Sequence, residues 1–504
     1  MTNPLYDALF ASNRKSGRTF LSLPDGTEIT YQAFLAEAAR FAHVLAEFGA
    51  KPGDRLALRT KKTPQALAVY AACVQAGIVF VPLNQAYTAA EVRYFLENSG
   101  AKILVCDLEA EAELAPVAVS TGTELLTLDA AGNGRLNRIA NDAQGHFETV
   151  SRVDSDIAAI LYTSGTTGRS KGAMLSQNNL LSNARVLCQE WDFGADDVLL
   201  HALPIYHAHG LFVATNVCLL ANARMIFLPK FSTDAVIQAL PNVTTMMGVP
   251  TFYTRLLNDE RLSRDMVAHV RLFISGSAPM LADTHRAFQQ CTGHEVLERY
   301  GMTETLMIAA NPYVGVRQAG WVGASLPGIT VRITDQDTGA TLPPGSIGMI
   351  EVKGPNVFQG YWQMPEKTRS EFRDDGFFIT GDLGRMDSKG NVQIVGRAKD
   401  IIITGGFNVY PKEVELLLDE DDAVMESAVI GVPHPDFGEG VIGLVVATPG
   451  RIPDLAAIQE SLASELAKFK QPKELIVVES LPCNSMGKVQ KNVLRQMFKG
   501  HLQG

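Results

Sequence analysis

Thr163-Ser164-Gly165-Thr166-Thr167-Gly168-Arg169-Ser170-Lys171-Gly172 follows a short apolar run at residues 157–162. The glycines let a backbone rich in N–H groups approach a ligand, the hydroxyls add donors, and Arg169 and Lys171 add positive charge. Polyphosphate is the natural ligand of such a loop. The spacing is not that of a Walker P-loop. Further groups able to do chemistry recur far downstream. They are Tyr206-His207, Gly276-Ser277-Ala278-Pro279, Tyr300-Gly301-Met302-Thr303-Glu304, Thr380-Gly381-Asp382, Gly396-Arg397 running on to Gly405-Gly406-Phe407-Asn408, and Gly487-Lys488.

Taken in order, these motifs resemble the signatures of the adenylate-forming superfamily, which includes acyl-CoA synthetases, peptide-synthetase adenylation domains and firefly luciferase. The resemblance covers roughly residues 20–495. It implies that a carboxylate attacks the α-phosphate of ATP, so that AMP becomes the leaving group for a thiol, here that of coenzyme A. Lys488 matches the adenylation lysine, whose ammonium bridges carboxylate and α-phosphate. Glu304 matches the Mg2+-binding acid, since a hard cation takes oxygen ligands and bridges phosphates. Thr303 donates to the α-phosphate, Asp382 accepts from the ribose hydroxyls, and Arg397 assists at ribose or phosphate. Tyr300 and the Gly276-Ser277-Ala278 backbone sandwich adenine, because a flat base needs an aromatic face and close backbone approach. Residues 163–168, Lys171 and Glu298 complete the nucleotide set. Lys399 matches the hinge of a mobile C-terminal domain, and Gly405-Gly406 line the pantetheine channel for the second half-reaction.

The acid is expected between His207 and residues 298–311. Arg299 stands before Tyr300-Gly301, where many relatives carry a small or apolar residue. A guanidinium there reads a second carboxylate in a bidentate, charge-assisted way and disfavours monocarboxylates that leave it unpaired. With Ile205-Tyr206-His207-Ala208-His209-Gly210-Leu211 and Asn311-Pro312-Tyr313, the chain resembles the malonyl-CoA synthetase branch, which implies malonate or methylmalonate as substrate. The stretch Leu306, Met307, Ile308, Ala309 and Ala310 is more apolar than that branch leads one to expect. Ligation of another small acid, or loading of a carrier protein, stands as the alternative. Pro482-Cys483-Asn484-Ser485-Met486-Gly487-Lys488 resembles the segment in which bacterial acyl-CoA synthetases are silenced by lysine acetylation, so a protein lysine acetyltransferase acting on Lys488 is an implied partner.

Groups spread over three hundred residues need a large scaffold to bring them together. The 504 residues, 46% hydrophobic and 19% charged, suit more than one core. Helix and strand patterns alternate in the first hundred residues. Phe34, Ala38, Phe41, Leu45 and Phe48 form one helical stripe ending at Gly49, and strands are expected at 55–60, 79–83 and 103–107 with helices at 64–76 and from Thr88. This is α/β texture with a mostly parallel, helix-covered sheet. Residues 110–155 are expected to form irregular connections, and 320–395 an antiparallel β subdomain. A boundary near Gly396-Arg397 divides an N-terminal AMP- and acid-binding domain, 1–396, from a small mobile α+β domain, 397–504.

A net charge of −10 argues against nucleic acid. The six cysteines are dispersed without zinc spacing, no run suits a membrane span, and residues 1–15 lack a signal-peptide pattern, so a cytoplasmic location is expected.

Overall fold

A computed structural model describes residues 2–163, 170–484 and 488–502. Two helix-covered sheets dominate the first two thirds of the chain. The six-stranded sheet runs, edge to edge, through Glu124–Leu128, Ile103–Asp107, Arg55–Arg59, Val79–Pro82, Ile157–Thr163 and Lys171–Ser176. Its first five strands are parallel and the last is antiparallel to its neighbour. Parallel strands are covered on both faces and therefore read as continuous apolar runs. All residues of Val79–Pro82 are buried, as are the first four of Ile103–Asp107.

The nine-stranded sheet has at its centre the parallel strands Arg224–Phe227, Val198–His201, Thr245–Gly248, Leu272–Ser275 and Leu297–Met302. Leu306–Ala310 then folds back antiparallel on Leu297–Met302. The carboxyl ends of parallel strands are where open α/β sheets leave a crevice for ligands. His201, Gly248 and Ser275 end their strands at that edge, and Arg299 and Tyr300 lie one and two residues past the register partner of Ser275.

Local chemistry explains the helix boundaries. Thr63 and Thr88 cap the helices Pro64–Ala76 and Ala89–Ser99 by accepting from backbone N–H groups, Thr88 in a full capping box with Glu91. Gly77 and Gly100 end both helices in the left-handed conformation. The expectation of irregular chain at 110–155 needs correction. Helix Glu111–Thr121, strand Glu124–Leu128 and helix Arg135–Ala140 stand there, one further β-α repeat at the sheet edge. The Ala-, Gly- and Thr-rich composition hid it because its buried apolar residues, Leu114, Val117, Leu126, Leu128 and Leu136, are spread over three short elements and show no sustained period; the helix Glu111–Thr121 even carries Pro116 inside.

An antiparallel sheet of Thr330–Thr334, Gly348–Lys353, Phe378–Met386 and Val392–Arg397 follows, as expected for 320–395. The largest apolar cluster runs from Leu5 to Val392 and joins both large sheets to this one. From Ile402 onward the buried apolar residues form two separate clusters on either face of a C-terminal sheet. Among the described residues no helix is long and apolar enough to cross a membrane.

The hairpin bearing Arg299 is braced by a side-chain amide. Asn183 donates to the Met307 carbonyl at 2.9 Å and accepts from the Met307 N–H at 3.3 Å, imitating a strand neighbour. Asn356 also donates to the Met307 carbonyl, at 3.2 Å, so Asn183→Ala strands chiefly the buried Met307 N–H; it is expected to lower the free energy of unfolding by about 1–3 kcal/mol in a urea titration, and an unchanged value contradicts the bracing role.

Candidate active site

Arg299 is buried in the strand Leu297–Met302, 4% exposed. Its Nε and Nη2 have no hydrogen-bond partner, and no ion pair joins it to a carboxylate among the described residues. An outward Arg pairing with Glu298 or Glu304 is therefore not what the structure holds. Burial lowers its pKa from the ordinary arginine value to about 9, which still leaves it charged at neutral pH. The guanidinium lies directly over Gly276: a Cβ there would stand 2.3 Å from Arg299 Cζ. Gly276 is needed for that close approach as well as in the expected adenine platform.

Next to it, Ser277 occupies the left-handed region at φ 72°, rare for a residue with a side chain and a mark of functional sites. Its hydroxyl faces His209 Nδ1 at 3.2 Å. His209 Nε2 is buried without a partner, and so is His207 Nε2. Burial, then the charges of Arg299, His201 and His207, push His209 far below the ordinary histidine range. Four unpaired buried N atoms thus sit on Arg299, His207 and His209, which lie close enough for their charges to interact. Buried polar atoms are normally hydrogen-bonded, so an unpaired group of this kind asks for a ligand.

The second half of the site is rich in acids. Asp382 and Arg397 are register partners on adjacent strands, and Arg397 Nε lies 2.6 Å from Asp382 Oδ1. Tyr300 donates its hydroxyl to Asp382 Oδ2 at 2.5 Å. Ionised carboxylates offer about four acceptor sites, so Asp382 can still take two more donors. Glu304 is 5% exposed; burial raises its pKa. The Tyr361 hydroxyl lies 3.0 Å from Glu304 and 2.7 Å from Glu371, and Glu371 in turn pairs with Lys171 at 3.3 Å and Lys367 at 2.6 Å. Thr163 and Lys171 pair at the end of the hairpin that carries the phosphate loop. Ser164, Gly165, Thr166, Thr167, Gly168 and Arg169 lie outside the described residues, as does Gly487. Thr303 is half-buried in the turn before Leu306–Ala310, and Ala278 is half-buried beside Ser277.

Lys488 comes from the far end of the chain yet stands in this cleft. It keeps solvent contact, but the protein atoms crowding it lower its pKa, with Arg397 and Lys399 adding to the effect and Asp382 and Glu304 opposing it. Glu298 does not join the cluster of bare donors: its carboxylate accepts from the Gly320 N–H at 3.1 Å, and burial raises its pKa to about 8. Lys399 lies in the short turn Ala398–Asp400 between the domains, beside the Asp400–Arg495 pair. Gly405 and Gly406, at φ 56° and 81°, form the exposed two-residue turn of a hairpin on the small domain, a conformation that calls for glycine at both positions.

Residues 10–362 match the model of the AMP-binding enzyme family, and residues 413–488 match that of the AMP-binding enzyme C-terminal domain. The chain belongs to the AMP-binding enzyme family. Its fold is that of adenylate-forming enzymes: ATP-bound MatB from Rhodopseudomonas palustris superposes with a TM-score of 0.97 at 55% identity over the whole of both chains. A malonate–CoA ligase of Arabidopsis thaliana is 33% identical over 485 residues, 90% of this chain and 79% of the relative. A feruloyl-CoA synthase of Amycolatopsis sp. is 35% identical over 482 residues, 94% of each chain.

Sequence reasoning assigned no role to His209, Tyr361 or Glu371. The His-x-His spacing at 207 and 209 was a signal for the first; the other two carry none, being joined to Glu304 and Lys171 only by folding.

His207 offers a direct check of this AMP-binding cleft. Burial, with the charge of Lys488 adding, lowers its pKa from 6.5 to about 4. The unfolded imidazole takes its proton near 6.5, so the stability gained by keeping it neutral is complete above that pH and is lost as pH falls toward about 4. In an NMR titration His207 is expected to stay neutral at pH 6, and Lys488→Ala to move its midpoint upward; an unmoved midpoint denies that the two approach.

Proposed function

We propose that the protein ligates malonate to coenzyme A through a malonyl-adenylate, releasing AMP and pyrophosphate. The observation that carries the reading is the buried, acid-free guanidinium of Arg299 flanked by bare His207 and His209 nitrogens. A monocarboxylate engaged in adenylation would leave that charge unpaired. A dicarboxylate satisfies it with one end while the other end reacts. The MatB likeness and the malonate–CoA ligase relative support the same reading. The feruloyl-CoA synthase, equally similar in overall sequence, illustrates that the acid is chosen locally. Methylmalonate is the natural second substrate, since the wall Leu306–Ala310 is apolar and buried.

In the first step ATP lies against Tyr300 and the Gly276-Ser277-Ala278 segment. Asp382 accepts from the ribose hydroxyls with Arg397 beside it, and residues 163–168 with Lys171 receive the phosphates. Lys171 leaves Glu371 for the triphosphate, a stronger anion. Thr303 donates to the α-phosphate, and Lys488 neutralises the charge that develops as the reacting carboxylate attacks it. Glu304, a single buried carboxylate, fits Mg2+, which commonly takes one or two carboxylates plus phosphate oxygens; the ion supplies charge neutralisation on the phosphates when bound.

In the second step the small domain, 397–504, turns about Lys399 and brings the exposed Gly405-Gly406 turn to the adenylate, where the CoA thiol displaces AMP. Free thiols at all six cysteines among the described residues suit a cytoplasmic setting. Acetylation of Lys488 by a protein lysine acetyltransferase would remove its charge and stop the first step; intact mass after treatment checks this.

Pyrophosphate exchange with malonate, methylmalonate, acetate and benzoate tests the substrate. Malonate is expected to lead in the wild type, and Arg299→Ala to lose about a hundredfold in kcat/KM for malonate, the value of a charged hydrogen-bonded contact. Acetate or benzoate outpacing malonate refutes the proposal. Lys488→Ala is expected to slow exchange by about a hundredfold or more while ATP still binds.

A further inference from the structure

Beside the Arg299–His207–His209 cluster lies a second set of polar groups, buried His201 and half-buried Lys62, to which the reaction assigns no part. Lys62 sits at the start of the helix Pro64–Ala76, next to its cap Thr63 and at the end of the six-stranded sheet. Its side chain crosses to the other large sheet. There Nζ lies 2.8 Å from His201 Nδ1, 2.7 Å from the His201 carbonyl and 4.2 Å from the centre of the Phe227 ring. Lys62 is half-buried and makes no ion pair among the described residues, and the protein packed around its amine pushes its pKa far down.

His201 ends the strand Val198–His201 and is 1% exposed. Its Nε2 lies 2.9 Å from the Gly210 carbonyl oxygen, an acceptor that demands the ring proton on Nε2. Nδ1 is then a lone pair, which is what an amine donor requires. Lys62 therefore selects the tautomer that allows His201 to donate. Thr215 donates its hydroxyl to the same Gly210 carbonyl at 2.9 Å.

Gly210 directly follows His209 in the segment His209–Thr215, which is one turn of π-helix. Such segments are rare and concentrate at functional sites, and in this one two side chains, His201 and Thr215, meet the Gly210 carbonyl. The Gly210 carbonyl belongs to the Gly210–Leu211 peptide, one Cα beyond the peptide that joins His209, so fixing it fixes the backbone immediately after the His209 imidazole.

We propose that Lys62 and His201 are positioning residues: the chain from the Lys62 amine through the His201 ring to the Gly210 carbonyl holds the π-turn so that His209 faces the carboxylate beside Arg299. The inference rests on the reading of the Arg299–His207–His209 cluster as the acid site. It adds that affinity for the acid, but not for ATP, depends on a lysine that touches neither.

Steady-state kinetics of the full chain with ATP, CoA and malonate tests it, with thermal melting to confirm folding. Lys62→Met keeps the shape and removes the donor. It is expected to raise KM for malonate about tenfold, within what a displacement of under an ångström can cost, while KM for ATP stays within about twofold. Lys62→Gln retains an uncharged N–H donor and is expected to recover most of the loss. Should Lys62→Met not fold, Thr215→Val removes the other donor to Gly210 and is expected to raise KM for malonate selectively, by a smaller factor. An unchanged KM for malonate, equal rises in both KM values, or no recovery with Gln overturns the relay. A wild type with no preference for malonate over acetate overturns the acid assignment and the relay together, whereas a malonate-selective wild type with an unaffected Lys62→Met removes the relay alone.

Discussion

A charged guanidinium without an acid partner is expensive to bury, and Arg299 is the point around which the cleft is organised. Removing a charge from water costs several kcal/mol on the usual scale unless opposite charge or hydrogen bonds replace the lost hydration. Here the strand Leu297–Met302 holds the side chain in the sheet interior, and a residue without a side chain, Gly276, leaves room for it. The neighbouring imidazoles do not relieve the charge, since the Arg299 Nε and Nη2 atoms have no hydrogen-bond partner. On the proposed reading the cost is recovered when a carboxylate enters, and the energy that would otherwise stabilise the free protein becomes selectivity for a diacid.

The nucleotide side is built on the opposite plan. Asp382, Glu304 and Glu371 each already meet a donor, from Arg397, Tyr300, Tyr361 and the lysines 171 and 367. In the proposed reaction the triphosphate of ATP competes for Lys171 with the Glu371 carboxylate, which keeps Lys367 as a partner. A prepared network of this kind keeps buried acids from repelling one another before the substrate arrives. Lys488 joins the two halves, since its amine feels Asp382 and Glu304 on one side and perturbs His207 on the other. That one residue comes from a domain with its own apolar clusters, which makes the chemistry dependent on how the small domain is seated.

Support for the cluster comes from outside it. Asn183 braces the hairpin carrying Arg299, and the π-turn His209–Thr215 takes its carbonyl partner from His201. Both contacts use polar side chains to complete backbone groups that the sheet and helix ladders leave over. On the proposed reading, precision at the acid site rests on elements that contact no substrate.

Much of this protein is decided by local chemistry. Apolar periodicity, Thr caps and Gly helix ends are short-range signals, so the alternating elements up to residue 107 and the antiparallel subdomain expected over 320–395 follow from the chain alone, and the motifs bring Arg299, Asp382, Glu304 and Lys488 forward as candidates. The edge unit within 111–140 escaped because its buried residues are divided among elements too short to show a period. Tertiary structure alone decided that Arg299 points inward with no acid to meet it, that Glu298 next to it turns to the Gly320 N–H, and that Tyr361 links Glu304 to Lys171. Side chains adjacent in a strand face opposite sides, and partners two hundred residues apart are chosen by sheet order and strand register, which no local pattern encodes.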